Sequence, residues 1–258
     1  MSRVLVVGGT RGLGASLVKL FASDTANTVY GTGRSSETPS GFPDKVQWLH
    51  GIDLMQDSVG DDIVSRLPTK EPLSTTIITA GFFATEDFDQ DKGPKWDDEL
   101  RMYTTSSVAP VFIVHRLVHA GLLQRGSKVV LVSSESGSIG LRHESEGGGN
   151  YAHHASKAAL NMVGKLLSLD VKDKGIIVSL VHPGFMRTEM TKGVGFDKFW
   201  DEGGAVTPDE AAASLVQWID GLDISKTGEY WAPRGPGDIG TAEATIGRDL
   251  PTPLQLPW

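Results

Sequence analysis

The stretch NYAHHASKAAL, residues 150–160, sets two histidines and a lysine on a helical pattern. His153 precedes Lys157 by four residues, one turn earlier on the same face and about 6 Å along the axis. An imidazole exchanges protons near neutral pH, so this pair can serve acid–base chemistry on an oxygen. A tyrosine at the same place would be a proton donor beside a lysine. The imidazole reaches less far, and a bridging water or a closer substrate would have to make up the difference. Tyr151 stands six residues before Lys157 and would be rotated by about 120° on a continuous helix. It replaces His153 only if the preceding loop bends it back. A non-catalytic alternative, a solvated first-turn histidine like His154, stays open.

A second chemical candidate ends the run SKVVLVSSESG, residues 127–137. A hydroxyl at a strand end can donate to an oxygen that is gaining negative charge. Ser134 is the candidate, with Ser133 beside it as the alternative and an ordinary turn serine as the plain reading.

The third feature is VVGGTRGLGAS, residues 6–16, which follows the first apolar run and opens a helical pattern. Gly8, Gly12 and Gly14 permit a tight turn, close approach of backbone to a diphosphate, and tight helix packing. The helix N-terminus beyond them favours an anion. Arg11 lies within this loop, and Arg34 follows the second apolar run in GTGRSS, where no carboxylate is present. A carboxylate there would bond a ribose 2′-hydroxyl and repel a 2′-phosphate, whereas guanidinium groups pair with phosphate oxygens. The expected cofactor is therefore NADP (NADPH) rather than NAD.

These residues need a frame. Apolar, β-branched runs recur at 3–9, 27–33, 45–51, 74–81, 127–134, 175–184 and 227–233, with room for helices between them. Near-continuous apolar character suits strands buried on both faces, so the pattern predicts an α/β fold: a doubly wound parallel sheet of about seven strands with helices on both faces. The segment WDDELRMYTTSSVAPVFIVHRLVHAGLL predicts one continuous core helix, and TPDEAAASLVQWIDGL opens on a capping threonine and a helix-starting proline. Residues 35–44 and 142–149 and the tail over 235–258 read as irregular. No linker-like composition divides the chain, so residues 1–258 are expected to form a single domain.

Composition narrows the function classes. With 258 residues and a net charge of −8, the chain argues against nucleic acid or an anionic membrane as a bulk partner. It has no cysteine, which excludes disulfides, thiolate catalysis and thiolate metal sites. No metal site is expected. The opening MSRVLVVGG has no signal- or transit-peptide character, and no apolar run approaches the roughly 20 residues of a membrane span. The expectation is a cytoplasmic protein.

The wording of these motifs resembles the short-chain dehydrogenase/reductase family, with its Rossmann-like fold, and is most similar to a small carbonyl-reductase-like branch. GGTRGLG matches the glycine motif; Asp53 in GIDL matches the acid that contacts the adenine. Thr79, Ala80 and Gly81 match the end of the N-N-A-G motif, with Ile78 in place of its first Asn. Ser134, with Gly137 three residues on, matches the catalytic serine, and ASK over 155–157 matches the lysine region. HPGFMRT, residues 182–188, matches the segment that closes over the nicotinamide. The resemblance implies cofactor contacts from Gly8, Thr10, Arg11, Gly12, Leu13, Gly14, Arg34, Asp53, Leu54, Ala80, Gly81, Lys157, Pro183, Gly184 and Thr188. Thr188 would hold the carboxamide or simply cap the next helix. The implied catalytic set is Ser134, His153 and Lys157.

Two departures fall in one proton relay: His153 takes the place of the family's tyrosine, and Ser106 that of its helical asparagine. His153 is then a replacement acid–base, a filler where reductase chemistry is lost or altered, or a substitution in an ordinary reductase. Residues 189–205 would form the substrate lid, with Met190, Phe196, Phe199 and Trp200 facing a bulky, flat or apolar small molecule or else covering the sheet edge. The leading function is NADPH-dependent reduction of a ketone or aldehyde. A non-redox dehydratase, isomerase or cyclase on the same scaffold is the alternative, followed by a non-catalytic NADP-binding protein. Relatives often pair through the long helix and the catalytic helix, as a homodimer or homotetramer, and some are monomers.

Overall fold

The computed structural model describes residues 2–86, 88 and 93–258. Among the described residues, eight strands form one sheet: β1 (Arg3–Val7), β2 (Thr28–Thr32), β3 (Gln47–Leu49), β4 (Thr75–Ile78), β5 (Lys128–Val132), β6 (Ile177–Val181), β7 (Glu229–Ala232) and β8 (Leu254–Gln255). Their order is β3-β2-β1-β4-β5-β6-β7-β8. The first seven are parallel and fall within the seven apolar runs of the sequence. The eighth is antiparallel to β7 and comes from the tail. It is two residues long, too short to leave a periodic signature between prolines.

The helices are α1 (Gly12–Ser23), α2 (Val59–Arg66), α3 (Trp96–Tyr103), α4 (Ala109–His119), α5 (Tyr151–Val171), α6 (Glu189–Gly193), α7 (Pro208–Asp220) and α8 (Ala242–Ile246). Side-chain alternation along β1 feeds two cores. Leu5 and Val7 join Ile63, Ile113, Leu117 and Leu160 from α2, α4 and α5 on one face. Val4 and Val6 join Leu17, Val18, Leu215 and Ile219 from α1 and α7 on the other.

The segment expected to be one continuous helix is interrupted. Residues Thr104–Val108 form a π-helical turn between α3 and α4. The hydroxyls of Thr105 and Ser107 donate to the carbonyls of Arg101 and Tyr103, competing with the backbone ladder. Pro110 follows in the first turn of α4 and has no N–H to continue that ladder. Ser106 lies buried inside this turn.

Chain order reverses where β1 neighbours β4, with Val7 beside Ile78. In open α/β sheets the crevice beyond such strand ends is where ligands bind. The loops after β1, β4, β5 and β6 all meet there.

Candidate active site

At the end of β1, Gly8 has φ +89° and donates its N–H to the Thr32 hydroxyl at 2.9 Å. Thr79, just after β4, sends its hydroxyl back to Val7 O at 3.0 Å, tying β4 to the turn. Gly14 packs so closely that a Cβ there would stand 2.1 Å from Gly8 O. The turn is thus built from bare backbone.

The helix it opens is uncapped. Arg11 at the N-cap makes no side-chain cap, and the first turn of α1 holds no acid. By contrast, α6 and α7 both begin with a complete capping box, at Thr188 and Thr207. The α1 N-terminus therefore presents unsatisfied N–H groups and a positive dipole end. Arg11, Thr10 and Arg34 are exposed around it. A Cβ on Gly33 would lie 3.1 Å from the Thr10 methyl, so the two loops touch. The Asp53 carboxylate accepts the Met55 N–H at 3.0 Å. Leu13 and Leu54 turn their side chains into the cores, leaving only their backbone for a ligand.

Beyond β5, the two serines separate. Ser133 is buried and donates to Asn161 Oδ1 at 2.6 Å, binding the strand end to α5. Ser134 stays partly accessible, and its Oγ accepts the Ser136 N–H at 3.2 Å. Three residues on, Gly137 lets α5 come close; a Cβ would sit 2.7 Å from the Lys157 carbonyl carbon.

The α5 helix starts at Tyr151, after Asn150 in the left-handed region at φ +50°. Lys157 is buried, and its Nζ donates to Val132 O at 2.9 Å. Burial pushes its ammonium down to about 8. One turn earlier, His153 stacks on Phe83, with ring centroids 4.1 Å apart. Its Nδ1 is buried without a hydrogen-bond partner. Burial, reinforced by the Lys157 charge, pushes the imidazole down to about 3. Tyr151 is exposed and was not bent back onto the lysine face; it lies at the same cavity mouth instead. That cavity, of about 610 Å³, is lined by Phe83, Ile139, Tyr151, His153, His154 and Phe196 among others. On its rim Arg142 is paired with Glu135 and Glu146, which orders the loop read as irregular over 142–149.

After β6, Gly184 has φ +109°, and the Phe185 N–H donates to Asp238 Oδ2 at 2.6 Å. Thr188 accepts the Thr191 N–H at 3.2 Å, and the Thr188 methyl lies 3.6 Å from where a Gly12 Cβ would be. Thr188 thus caps α6 while facing the glycine turn. Residues 189–205 carry α6 and a 3₁₀ turn at Phe196–Phe199, and Val206 bridges back to Met186. Phe196 meets Phe83 edge to face, with ring centroids 5.6 Å apart.

Three contributors had no sequence signal of their own. Phe83, in the apolar AGFFA stretch, covers His153. Glu86 is buried and accepts the Ala152 N–H at 2.6 Å, capping α5 where Asn150 makes no side-chain cap. Tyr230 donates its hydroxyl to Ser134 O from β7. Each acts through chain-distant packing that no local spacing encodes. Among the described residues, no helix is long and apolar enough to cross a membrane, and no cluster of three or more metal-ligating side chains forms.

The family model described as short chain dehydrogenase matches residues 2–198. The 1-hydroxy-2-glutathionyl-2-methyl-3-butene dehydrogenase of Rhodococcus sp. (strain AD45) is 28% identical over 231 residues, covering 89% of this chain and 96% of that protein. The carbonyl reductase Sniffer of D. melanogaster superposes with a TM-score of 0.76 at 22% identity, covering 100% of both chains. An NADPH-bound carbonyl reductase from chicken fatty liver superposes with a TM-score of 0.75 at 21% identity, covering 100% of this chain and 94% of that one.

Proposed function

The chain belongs to the short-chain dehydrogenase family, and on that premise we propose that it is an NADPH-dependent reductase of a ketone or aldehyde on a bulky, apolar or aromatic small molecule. One observation carries this reading. The uncapped, acid-free start of α1, flanked by exposed Arg11 and Arg34, opens at the same carboxyl end of the sheet as Ser134 after β5 and Lys157, which bonds Val132 O at the end of that strand.

These residues fit a dinucleotide. The first-turn N–H groups of α1 take the diphosphate, and Arg11 and Arg34 take the 2′-phosphate. Asp53 and the backbone at Leu54 flank the adenine, and Ala80 and Gly81 line the floor. Lys157 holds the nicotinamide ribose, while the Pro183, Gly184 and Thr188 backbone faces the carboxamide. When bound, NADPH supplies the hydride.

The chain's own groups handle the oxygen. Ser134 donates a hydrogen bond to it, and the neutral His153 ring donates a second through its single N–H. A ring held near 3 does not carry the proton as an imidazolium at neutral pH. Lys157, lowered to about 8, is the cation able to release one. Phe83 and Phe196 offer aromatic faces to the substrate. Exposed Phe112 on α4 and Met162, Leu166 and Leu169 on α5 give a second copy an apolar face to pair with.

The test is NADPH consumption over a panel of aromatic and aliphatic carbonyl compounds, using wild type, His153→Tyr, His153→Phe and Lys157→Ala. Turnover by wild type that is lost in Lys157→Ala and reduced in His153→Phe supports the reading. If wild type never consumes NADPH and His153→Tyr does, the reading is wrong. A second reading, a non-redox dehydratase, isomerase or cyclase, is favoured by the two departures in one relay, His153 for the family's tyrosine and Ser106 for its asparagine.

A further inference from the structure

The peptide group that joins Ser134 to Glu135 is held at both ends. Its carbonyl accepts the Tyr230 hydroxyl from β7. Its N–H donates to His182 Nδ1 from the end of β6, at 3.0 Å. Both partners are buried, and neither bonds to a side chain of the catalytic set. Because Nδ1 accepts, the proton of the neutral ring sits on Nε2. Nε2 lies 3.8 Å from Asp238 Oδ2.

Asp238 is the next link. The same Oδ2 accepts the Phe185 N–H at 2.6 Å. Burial alone would raise this carboxyl, but the His182 ring, the Phe185 N–H and Arg234 together hold it below the usual carboxylate range. A Cβ on Gly184 would stand 2.7 Å from Oδ2, so a bare backbone is needed for Asp238 to approach. Hydrogen bonds at either end, joined by the 3.8 Å approach of His182 Nε2 to Asp238 Oδ2, thus link the serine loop to the segment after β6.

We propose that His182, Tyr230 and Asp238 are positioning residues that fix the Ser134 peptide plane in register with the backbone at Phe185. Their role in turnover rests on the reading above, in which Ser134 and the 183–188 segment serve one reaction. Tyr230 and His182 set the direction of the Ser134 main chain, and hence where its hydroxyl points. Asp238 makes that setting depend on the segment that faces the nicotinamide. A change at either loop is then felt at the other.

Two readouts test this on the intact chain. In ¹⁵N-labelled protein, Asp238→Ala is expected to shift the amide resonances of both Phe185 and Glu135. Asp238→Asn, which retains an acceptor for Phe185, should restore the Phe185 resonance. In kinetics with NADPH and a ketone or aldehyde that wild type reduces, Tyr230→Phe should lower kcat at least tenfold while NADPH affinity stays within twofold. His182→Asn, whose oxygen lies near the place of Nδ1, should retain several-fold more kcat than His182→Gln. An Asp238→Ala spectrum in which Phe185 moves and Glu135 does not would overturn the coupling, even for a chain that reduces no carbonyl. Should Asp238→Ala fail to fold, Asp238→Asn decides: it removes the charge facing His182 Nε2, so the Glu135 resonance should shift while Phe185 stays, and an unmoved Glu135 would overturn the coupling. Tyr230→Phe with kcat within twofold of wild type would overturn the positioning role.

Discussion

The His153 imidazole lies nearly face to face with the Phe83 ring, with centroids 4.1 Å apart and planes 30° from parallel. A ring covered this way sheds its hydration, and desolvation disfavours the charged form. That explains a value near 3 on a residue whose spacing alone suggested ordinary titration near neutrality. On the proposed reading, His153 would then act as a neutral ring and not as a switch.

The first prediction concerns acid stability. The unfolded histidine takes up a proton near 6.5, and the folded ring does so only near 3. The unfolded state therefore binds more protons between these values, and stability falls as pH drops through that window. The loss is at most about 1.4 kcal/mol per pH unit, and above 6.5 this contribution is constant. His153→Phe should lack it. Urea unfolding of both proteins at pH 7 and pH 5 measures the difference; equal losses would mean the ring is open to water.

The second prediction is a gain. Lys157 is lowered from 10.5 to about 8 by burial, so below about 8 both states carry the charge and folding bears its full desolvation cost. That cost is about 3 kcal/mol, fading between 8 and 10.5 as the folded lysine loses its proton first. Lys157→Met forgoes the bond to Val132 O, worth about 1 kcal/mol. At pH 7 its Tm should rise by about 5 °C, at roughly 2–4 °C per kcal/mol, and the advantage should shrink by pH 10. Calorimetry at the two pH values reads this directly. A Tm at pH 7 below that of wild type would show that the ammonium is not paying a burial penalty.

Why some of this was legible in the sequence and some not follows from range. The seven parallel strands show as apolar runs because both faces are buried, as at Val4 and Leu5, which enter different cores. The Thr207 cap is visible because its signal is local, a threonine directly before Pro208 at the start of α7. The spacing to Gly137 favours Ser134 over Ser133, but the physical reason that sets the two serines apart is not local. It depends on Asn161, far along the chain, which takes the Ser133 hydroxyl. The break in the long helix hides in TTSSVAP, where helix-tolerant residues bond their own i−4 carbonyls. Phe83 carried no signal either, because a loop aromatic reads the same whether it covers a histidine or faces water.

The third prediction addresses coenzyme choice. If Arg34 pairs with the 2′-phosphate, Arg34→Ala should weaken NADPH about tenfold or more and leave NADH within twofold, since a charge-assisted hydrogen bond is worth about 1.5–3 kcal/mol. Arg34 is exposed, so the fold should be untouched. Titrating each nucleotide by protein fluorescence quenching gives both constants. Equal weakening of the two would place Arg34 on the shared diphosphate, and tighter NADH than NADPH in wild type would refute the NADP assignment.

The last prediction returns to the turn on which the crevice depends. A methyl on Gly14 would stand 2.1 Å from Gly8 O and 2.8 Å from the Thr79 hydroxyl. Neither neighbour can swing away. Gly8 O belongs to the turn itself, and Thr79 is already committed to Val7 O. Either α1 slides outward or the turn opens, and overpacking of this kind costs about 1–3 kcal/mol. Both responses move the first-turn N–H groups away from a bound diphosphate. Gly14→Ala should therefore lower Tm and weaken NADPH by more than tenfold in the same protein. Gly240→Ala is the control, because a Cβ there meets nothing within 4 Å. If Gly14→Ala binds NADPH as wild type does while remaining folded, the diphosphate does not rest on this helix end.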